Sequence, residues 1–459
     1  MNRRQFLRGS LALVGAGALT SGFLPTRLPR RRSAAVPDPT GVLITRWAQD
    51  PFTFGSYSYL AVGSSNHDRQ RLAEPVADRL FFAGEATSTD YAATVPGAYL
   101  SGRRAAGAVR ANTDTGATVV VIGAGMAGLA AASELHDDYR VVVVEGRDRI
   151  GGRIWTSREL GTPLDIGASW IEGAGPANPI ARLAKRLEVK TEVTDWDNNV
   201  LYAPDGAEVS DRAENRLTRE YDAVLAGAAR EQRRRGSDRP LGDALATGIT
   251  ARTSDPTRRR DLDYAINFVI EHEYAADVDE LSLLHWDDDK GFRGPDRLFP
   301  DGYVQIVDGV AEGLDVRTGQ VVRRVDYGGS GVTVTTDGGD VSGGVAVVTL
   351  PVGVLQRGVV EFDPPLPDEK TQSIARLGMG LLDKCYLRFP RVFWDRDADV
   401  LNYISADKGR WAEWINLAKP TGEPILVGFN AATYARELEA MSDPEIVASA
   451  MDVLRTIYG

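Results

Sequence analysis

Residues 119–132, Val-Val-Val-Ile-Gly-Ala-Gly-Met-Ala-Gly-Leu-Ala-Ala-Ala, constrain this chain more than any other stretch. Four β-branched residues lead into a G-x-G-x-x-G and then into an alanine-rich run, the order strand, tight turn, helix that a dinucleotide pyrophosphate requires. Gly123 permits the turn, Gly125 lets the backbone approach phosphates, and Gly128 lets the helix pack close to the strand. The helix start adds unpaired N–H groups and the positive end of its dipole. Glycine-rich turns alone are common. Here a second strand, Arg140 to Val144, follows and ends at Glu145, where a carboxylate can take both ribose hydroxyls. The element begins only after more than a hundred residues, which is unusual for a nucleotide-binding start.

With 459 residues, 43% hydrophobic and 25% charged, the chain has room for two or three domains with substantial cores. A net charge of -11 argues against nucleic acid as a partner and suits a small cationic substrate, although acidity also simply favours solubility. Cys385 is the single cysteine, which excludes an intrachain disulfide and a cysteine-based metal site. The four histidines, His67, His136, His272 and His285, have no ligand spacing, so no metal is expected.

At the N-terminus, Arg3-Arg4-Gln5-Phe6-Leu7-Arg8 precedes a weakly apolar run, Leu11 to Leu24, too short to span a membrane. Over 1–35 this reads as a twin-arginine export signal, placing a folded, cofactor-loaded protein in an extracellular, periplasmic or cell-wall setting. The alternative is a basic tail with a chance apolar patch. No other stretch is long enough for stable membrane insertion.

Val42 to Trp47 reads as a strand, 50–59 as an aromatic-rich loop, and Arg79 to Glu85 as a buried strand ending in Gly84 and Glu85. A helix over 97–110 and a polar linker, 112–117, then lead into the glycine-rich element. Together the strands 80–84 and 118–122 and the helix between them are expected to form one βαβ unit. Further on, 182–188, 211–235 and 262–274 are expected helices. Val316 to Val325, 331–336 and 341–349 read as strands of the nucleotide domain. Strands at 380–389, 411–417 and 424–429 are expected to form a second sheet, covered by a helix over 443–458.

The motifs Gly123-Ala124-Gly125-Met126-Ala127-Gly128, Glu145-Gly146-Arg147, Arg149-Ile150-Gly151-Gly152-Arg153 and Asp165-Ile166-Gly167-Ala168-Ser169-Trp170 together resemble the flavin-containing amine oxidases. Leu350-Pro351-Val352-Gly353-Val354-Leu355 and Leu382-Asp383-Lys384 extend the match. The family includes monoamine oxidases, polyamine oxidases and lysine-specific histone demethylases. The resemblance implies an α/β fold: a Rossmann-like FAD-binding domain plus an α+β substrate domain with a mixed sheet. In that family the Phe-Ala-Gly-Glu stretch is C-terminal, whereas here it is Phe82-Ala83-Gly84-Glu85. The chain therefore reads as circularly permuted, or else as carrying an independent N-terminal domain that merely resembles the missing piece. On the permuted reading, 36–111 is the relocated C-terminal part. Residues 118–195 and 300–370 build the FAD domain, 196–299 and 371–459 the substrate domain, and Gly459 lies near 36–42.

The resemblance further implies FAD, held by Gly123, Gly125, Met126, Ala127 and Gly128, with Glu145 on the ribose and Gly146, Arg147, Gly152 and Arg153 near the pyrophosphate. Gly167, Ala168, Ser169 and Trp170 belong to the same cofactor set. Val321 would meet the adenine through its backbone, Gly84 and Glu85 the ribityl region, and Thr94 and Val95 the isoalloxazine. Attachment is expected to be non-covalent, because Ser56 stands where monoamine oxidases carry cysteine. Lys384 matches the lysine that holds a water to the flavin, or alternation points it outward. Tyr57 lines the substrate space or packs ordinarily, Thr94 replaces a second aromatic wall, and Trp47 is either a flavin neighbour or core. Glu172 matches a glutamate of plant polyamine oxidases and is the candidate anchor for a distal ammonium. Glu271, Glu273 and Asp277 are weaker candidates for the same role, or else surface charges. The implied reaction passes hydride from the carbon beside a neutral amine to FAD, with O2 as acceptor. It yields imine, then aldehyde plus amine, and hydrogen peroxide. An L-amino acid or primary monoamine oxidase is the alternative within the class, and a weakly active flavoprotein with a structural role the alternative outside it.

Overall fold

The computed structural model describes residues 35–234 and 236–459, so the expected export signal, apart from Ala35, lies outside the described residues. Among the described residues no helix is long and apolar enough to cross a membrane.

Five parallel strands form the nucleotide sheet in the order Val316–Arg317, Arg140–Val144, Thr118–Ile122, Val345–Val348, Leu80–Phe82. Val119 to Ile122 are buried on both sides of the sheet, which is why this segment is a continuous apolar run without alternation. Helices Val95–Asn112 and Met126–Leu135 pack together on one face, where Ala105, Ala106 and Val109 join Ala127, Ala131 and Leu135 in one core. They are pressed together at Gly102, where a β-carbon would lie 2.1 Å from the Ala127 carbonyl oxygen. On the other face a four-stranded sheet, Val322–Asp326, Val332–Thr336, Gly339–Gly343 and Glu361–Asp363, contributes Val325, Val332 and Val334 against Val120, Ile122 and Val348.

Two expectations need correction here. The expected βαβ unit has its parallel strands and helix, but Leu80–Phe82 and Thr118–Ile122 are not neighbours within the sheet. Val345–Val348 is inserted between them, and Val348 pairs with both Phe82 and Ile122. All four residues of the inserted strand are buried, so it requires a partner on each side. Second, 316–325 is not one strand. After Val316–Arg317 the chain turns at Gly319, with φ of +67°, and continues in the separate four-stranded sheet.

The second large sheet is mixed and six-stranded, in the order Gly41–Ile44, Leu382–Arg388, Ile425–Ala431, Glu413–Asn416, Val400–Tyr403, Asn199–Tyr202. Only its last pair is parallel; the strands at 199–202 and 400–403 were not anticipated. Helix Asp443–Tyr458, opened by a Ser442/Glu445 capping box, covers this sheet with Ile446, Ala450 and Leu454 on Cys385, Leu387 and Trp414. At its end Arg455 pairs with Asp38 at 3.0 Å, and Val36 packs on the cluster that Ile457 and Tyr458 also join. A helical group, Asp211–Arg233, Leu241–Thr250 and Pro256–Ile266, flanks the sheet. The helix expected over 262–274 is interrupted by a π-helical turn, Asn267–Glu271, which re-aims His272 and Glu273.

Candidate active site

A cavity of about 560 Å³ runs from the glycine-rich turn to the face of the six-stranded sheet. One end is built for a dinucleotide. Gly123 has φ of +102°, closed to most side chains, and a β-carbon on Gly128 would lie 1.9 Å from the Gly123 carbonyl oxygen, so helix and turn touch there. Gly125 faces open space, with no neighbour nearer than 4.0 Å to a β-carbon placed on it. Both Glu145 oxygens are pinned by backbone donors, Oε2 by Ala124 N at 2.8 Å and Oε1 by Arg147 N at 2.9 Å. Each keeps a lone pair for a ribose hydroxyl. Arg147 is held by Asp50 at 2.7 Å and lies over the Phe52 ring. These features fit the dinucleotide half of FAD.

The expected cofactor residues Gly84, Glu85, Val95, Gly123, Gly125, Met126, Ala127, Glu145, Gly146, Arg147, Gly152, Arg153, Gly167, Ala168, Ser169, Trp170 and Val321 all line this cavity. Gly128 does not; it acts one layer below, through packing. Glu85 is committed within the wall, accepting from Ser58 Oγ at 2.6 Å, Ala93 N at 3.0 Å and Arg153 Nη1 at 2.9 Å. Burial opposes its ionisation, but the Arg153 and Arg69 guanidiniums and the Ser58 hydrogen bond hold its carboxyl below the ordinary glutamate range. Arg153 also reaches Ser56 O at 3.0 Å. The Val321 carbonyl is taken by Asp337 N at 3.1 Å.

Among the expected substrate-side residues, Lys384, Tyr57, Thr94 and Glu172 line the cavity. Trp47 does not: it is buried edge-on to Trp155 beside Leu381 and Ala435, a core position where its backbone N–H donates to Asp383 Oδ1 at 3.1 Å. Thr94 has a second duty as N-cap of helix Val95–Asn112, accepting from Gly97 N at 3.0 Å. Tyr57 donates to the His272 carbonyl at 2.9 Å. Ser56 is tied in both directions to Leu382, at 2.9 and 3.0 Å.

Lys384 points inward. Its Nζ donates to Asp165 O at 3.0 Å, Gly167 O at 2.5 Å and Ser169 Oγ at 2.6 Å, between the rings of Trp170 and Phe429. Burial draws this ammonium down to about 7, with the Asp165 charge opposing. Burial pushes the Asp165 carboxyl up to about 7, against hydrogen bonds from Thr156 and Tyr303 N. Near neutral pH the Nζ can therefore both give and take a proton at the cavity wall.

The sequence reading missed His272, Glu413 and Phe429 and misplaced two acids. Glu273 lines the cavity, and Glu271 is buried, held by Lys408 at 2.6 Å. Asp277 is half-buried and paired with Arg436. A signal for Glu413 existed: an acid inside the apolar run Ala412-Glu413-Trp414-Ile415.

A family model described as flavin containing amine oxidoreductase matches residues 22–110 and 126–459. The chain belongs to that family. It is an FAD-dependent amine oxidase. Among its relatives, a protein of Oryza sativa subsp. japonica named polyamine oxidase 4 is 34% identical over 353 residues, 74% of this chain and 72% of the rice protein. Polyamine oxidase 2 of Arabidopsis thaliana is 32% identical over 342 residues, 71% of this chain and 69% of the relative. The fold is also similar to a putrescine oxidase variant redesigned in cofactor binding. That likeness has a TM-score of 0.59 at 23% identity and covers 76% of this chain and 82% of the other.

Proposed function

We propose that this amine oxidase acts on aliphatic polyamines, with O2 as electron acceptor. The observation that carries the reading is the wall composition beyond the dinucleotide end. Glu172, Glu273 and Glu413 share a cavity with the aromatic side chains of Tyr57, Trp170 and Phe429. Carboxylates recognise an extended cation, while the aromatic and apolar walls exclude water from the hydride path. Bound FAD supplies the hydride acceptor. Lys384 Nζ is suited to hold a water or move a proton beside the reacting carbon, and Glu172 adds negative charge to the cavity that receives the cationic chain. Water then hydrolyses the substrate imine to aldehyde and amine. An anaerobic reduction screen with spermine, spermidine, 1,4-diaminobutane, aromatic monoamines and amino acids tests this. Bleaching by the polyamines first is expected, and preferential bleaching by amino acids or aromatic monoamines would displace the reading.

Two further readings belong with it. The two-segment family match, and the contact of Arg455 with Asp38, support a circular permutation in which 112–117 joins the old ends. Arg3-Arg4 with the apolar run behind it supports twin-arginine export. Export of a reporter fused to residues 1–35, abolished by replacing both arginines with lysine, is the expected result.

A further inference from the structure

Three strands of the six-stranded sheet align Lys384 opposite Phe429 and Phe429 opposite Glu413. Residues directly paired across antiparallel strands share a face, so these side chains form one row, and all three line the cavity. Two strand spacings put the ends of the row about 10 Å apart. Lys384 stands at one end of this row, and Glu413 at the other.

Glu413 is not alone there. Its Oε2 lies 2.7 Å from His272 Nδ1, with both side chains at most 1% exposed. A carboxylate only accepts, so Nδ1 is the donor in this pair, and in the neutral imidazole Nε2 presents a lone pair. His272 Nε2 is buried without a hydrogen-bond partner among the described residues, and His272 lines the cavity. The π-helical turn before it and the Tyr57 bond to its carbonyl fix the ring's place beside the aromatic wall. A buried acceptor backed by a carboxylate lacks one thing, a donor that brings positive charge.

We infer that His272 and Glu413 form the ammonium-recognising far end of the amine site, selecting substrates with a second cationic nitrogen beyond the one being oxidised. His272 Nε2 accepts an N–H from that nitrogen, and Glu413 orients the imidazole and supplies the charge. The inference rests on the polyamine reading above and names the residues that discriminate a diamine from a monoamine.

The test compares 1,4-diaminobutane with n-butylamine on flavin-loaded enzyme. His272→Phe keeps a ring and removes the lone pair, Glu413→Gln keeps an acceptor oxygen and removes the charge, and His272→Gln restores an acceptor. In H272F and E413Q the ratio of kcat/KM for diamine over monoamine is expected to fall about tenfold or more, carried by KM, with partial recovery in H272Q. Equal losses for both amines, or an unchanged ratio, would overturn the inference while leaving the polyamine reading intact. Should H272F fail to retain flavin, the ratio in E413Q and H272Q decides. If the unaltered enzyme prefers butylamine, the polyamine reading fails first, and this inference with it.

Discussion

Glu85 and Arg153 meet at 2.9 Å, joining a residue before the glycine-rich turn to one after it. Only 5% of the Glu85 side chain is exposed, and Arg69, the second guanidinium that lowers its carboxyl, is also buried. Glu85→Gln removes the charge that Arg153 meets at 2.9 Å in the cavity wall. A loss of about 3 to 5 kcal/mol in urea unfolding is expected, from the penalty of an uncompensated buried charge. A change of a few tenths would mean that water already screens the cluster.

The Lys384 ammonium is lowered from 10.5 to about 7, so the unfolded chain binds the extra proton between those values. Stability should therefore rise with pH across this window. Asp165 has the opposite sign: raised from 3.8 to about 7, it favours the folded state at low pH and loses that advantage as pH rises to 7. The contribution of this pair is therefore smallest near neutral pH, and Lys384→Met should flatten the rise of stability on the alkaline side. Parallel curves for the two proteins would remove Lys384 as the cause.

Lys384→Met is also expected to separate the half-reactions. In stopped-flow traces, reoxidation by O2 should slow by about a hundredfold, the scale of losing a positioned proton carrier. Anaerobic reduction by amine should change less. Equal slowing of both steps would point to a packing role between Trp170 and Phe429.

Gly128→Ala forces a β-carbon to 1.9 Å from the Gly123 carbonyl oxygen, which belongs to backbone that cannot swing aside as a side chain would. Loss of flavin from purified protein is the expected outcome. Gly116→Ala is the control. Its φ of +83° costs about 1 to 2 kcal/mol, but its β-carbon meets nothing within 4 Å, so flavin content should hold.

Joining Gly459 to residue 36 through a short linker and opening the chain within 112–117 should yield a folded, flavin-loaded enzyme, because Arg455 and Asp38 already bring those ends together. A chain that no longer folds or loads flavin would speak against the permutation.

The nucleotide half of the site was readable because each part is local: Gly123 to Gly128 and Glu145 act through backbone geometry that a few neighbouring residues determine. The substrate half was not, because it depends on register. Nothing near Glu413 or Phe429 in sequence says that they align with Lys384, and His272 reaches Glu413 across 141 residues through a π-helical turn that periodicity does not reveal. The place of Val345–Val348 was hidden for a related reason. Its burial was legible, but not which strands would bury it.

That inserted strand has a cost in time. Leu80–Phe82 leaves the ribosome as an apolar edge, and its partner Val348 follows about 270 residues later, on the order of tens of seconds at roughly 5 to 20 residues per second. Throughout that interval Phe81 and Phe82 have no sheet to enter. The nucleotide sheet that carries the flavin site can therefore close only after most of the chain has been made.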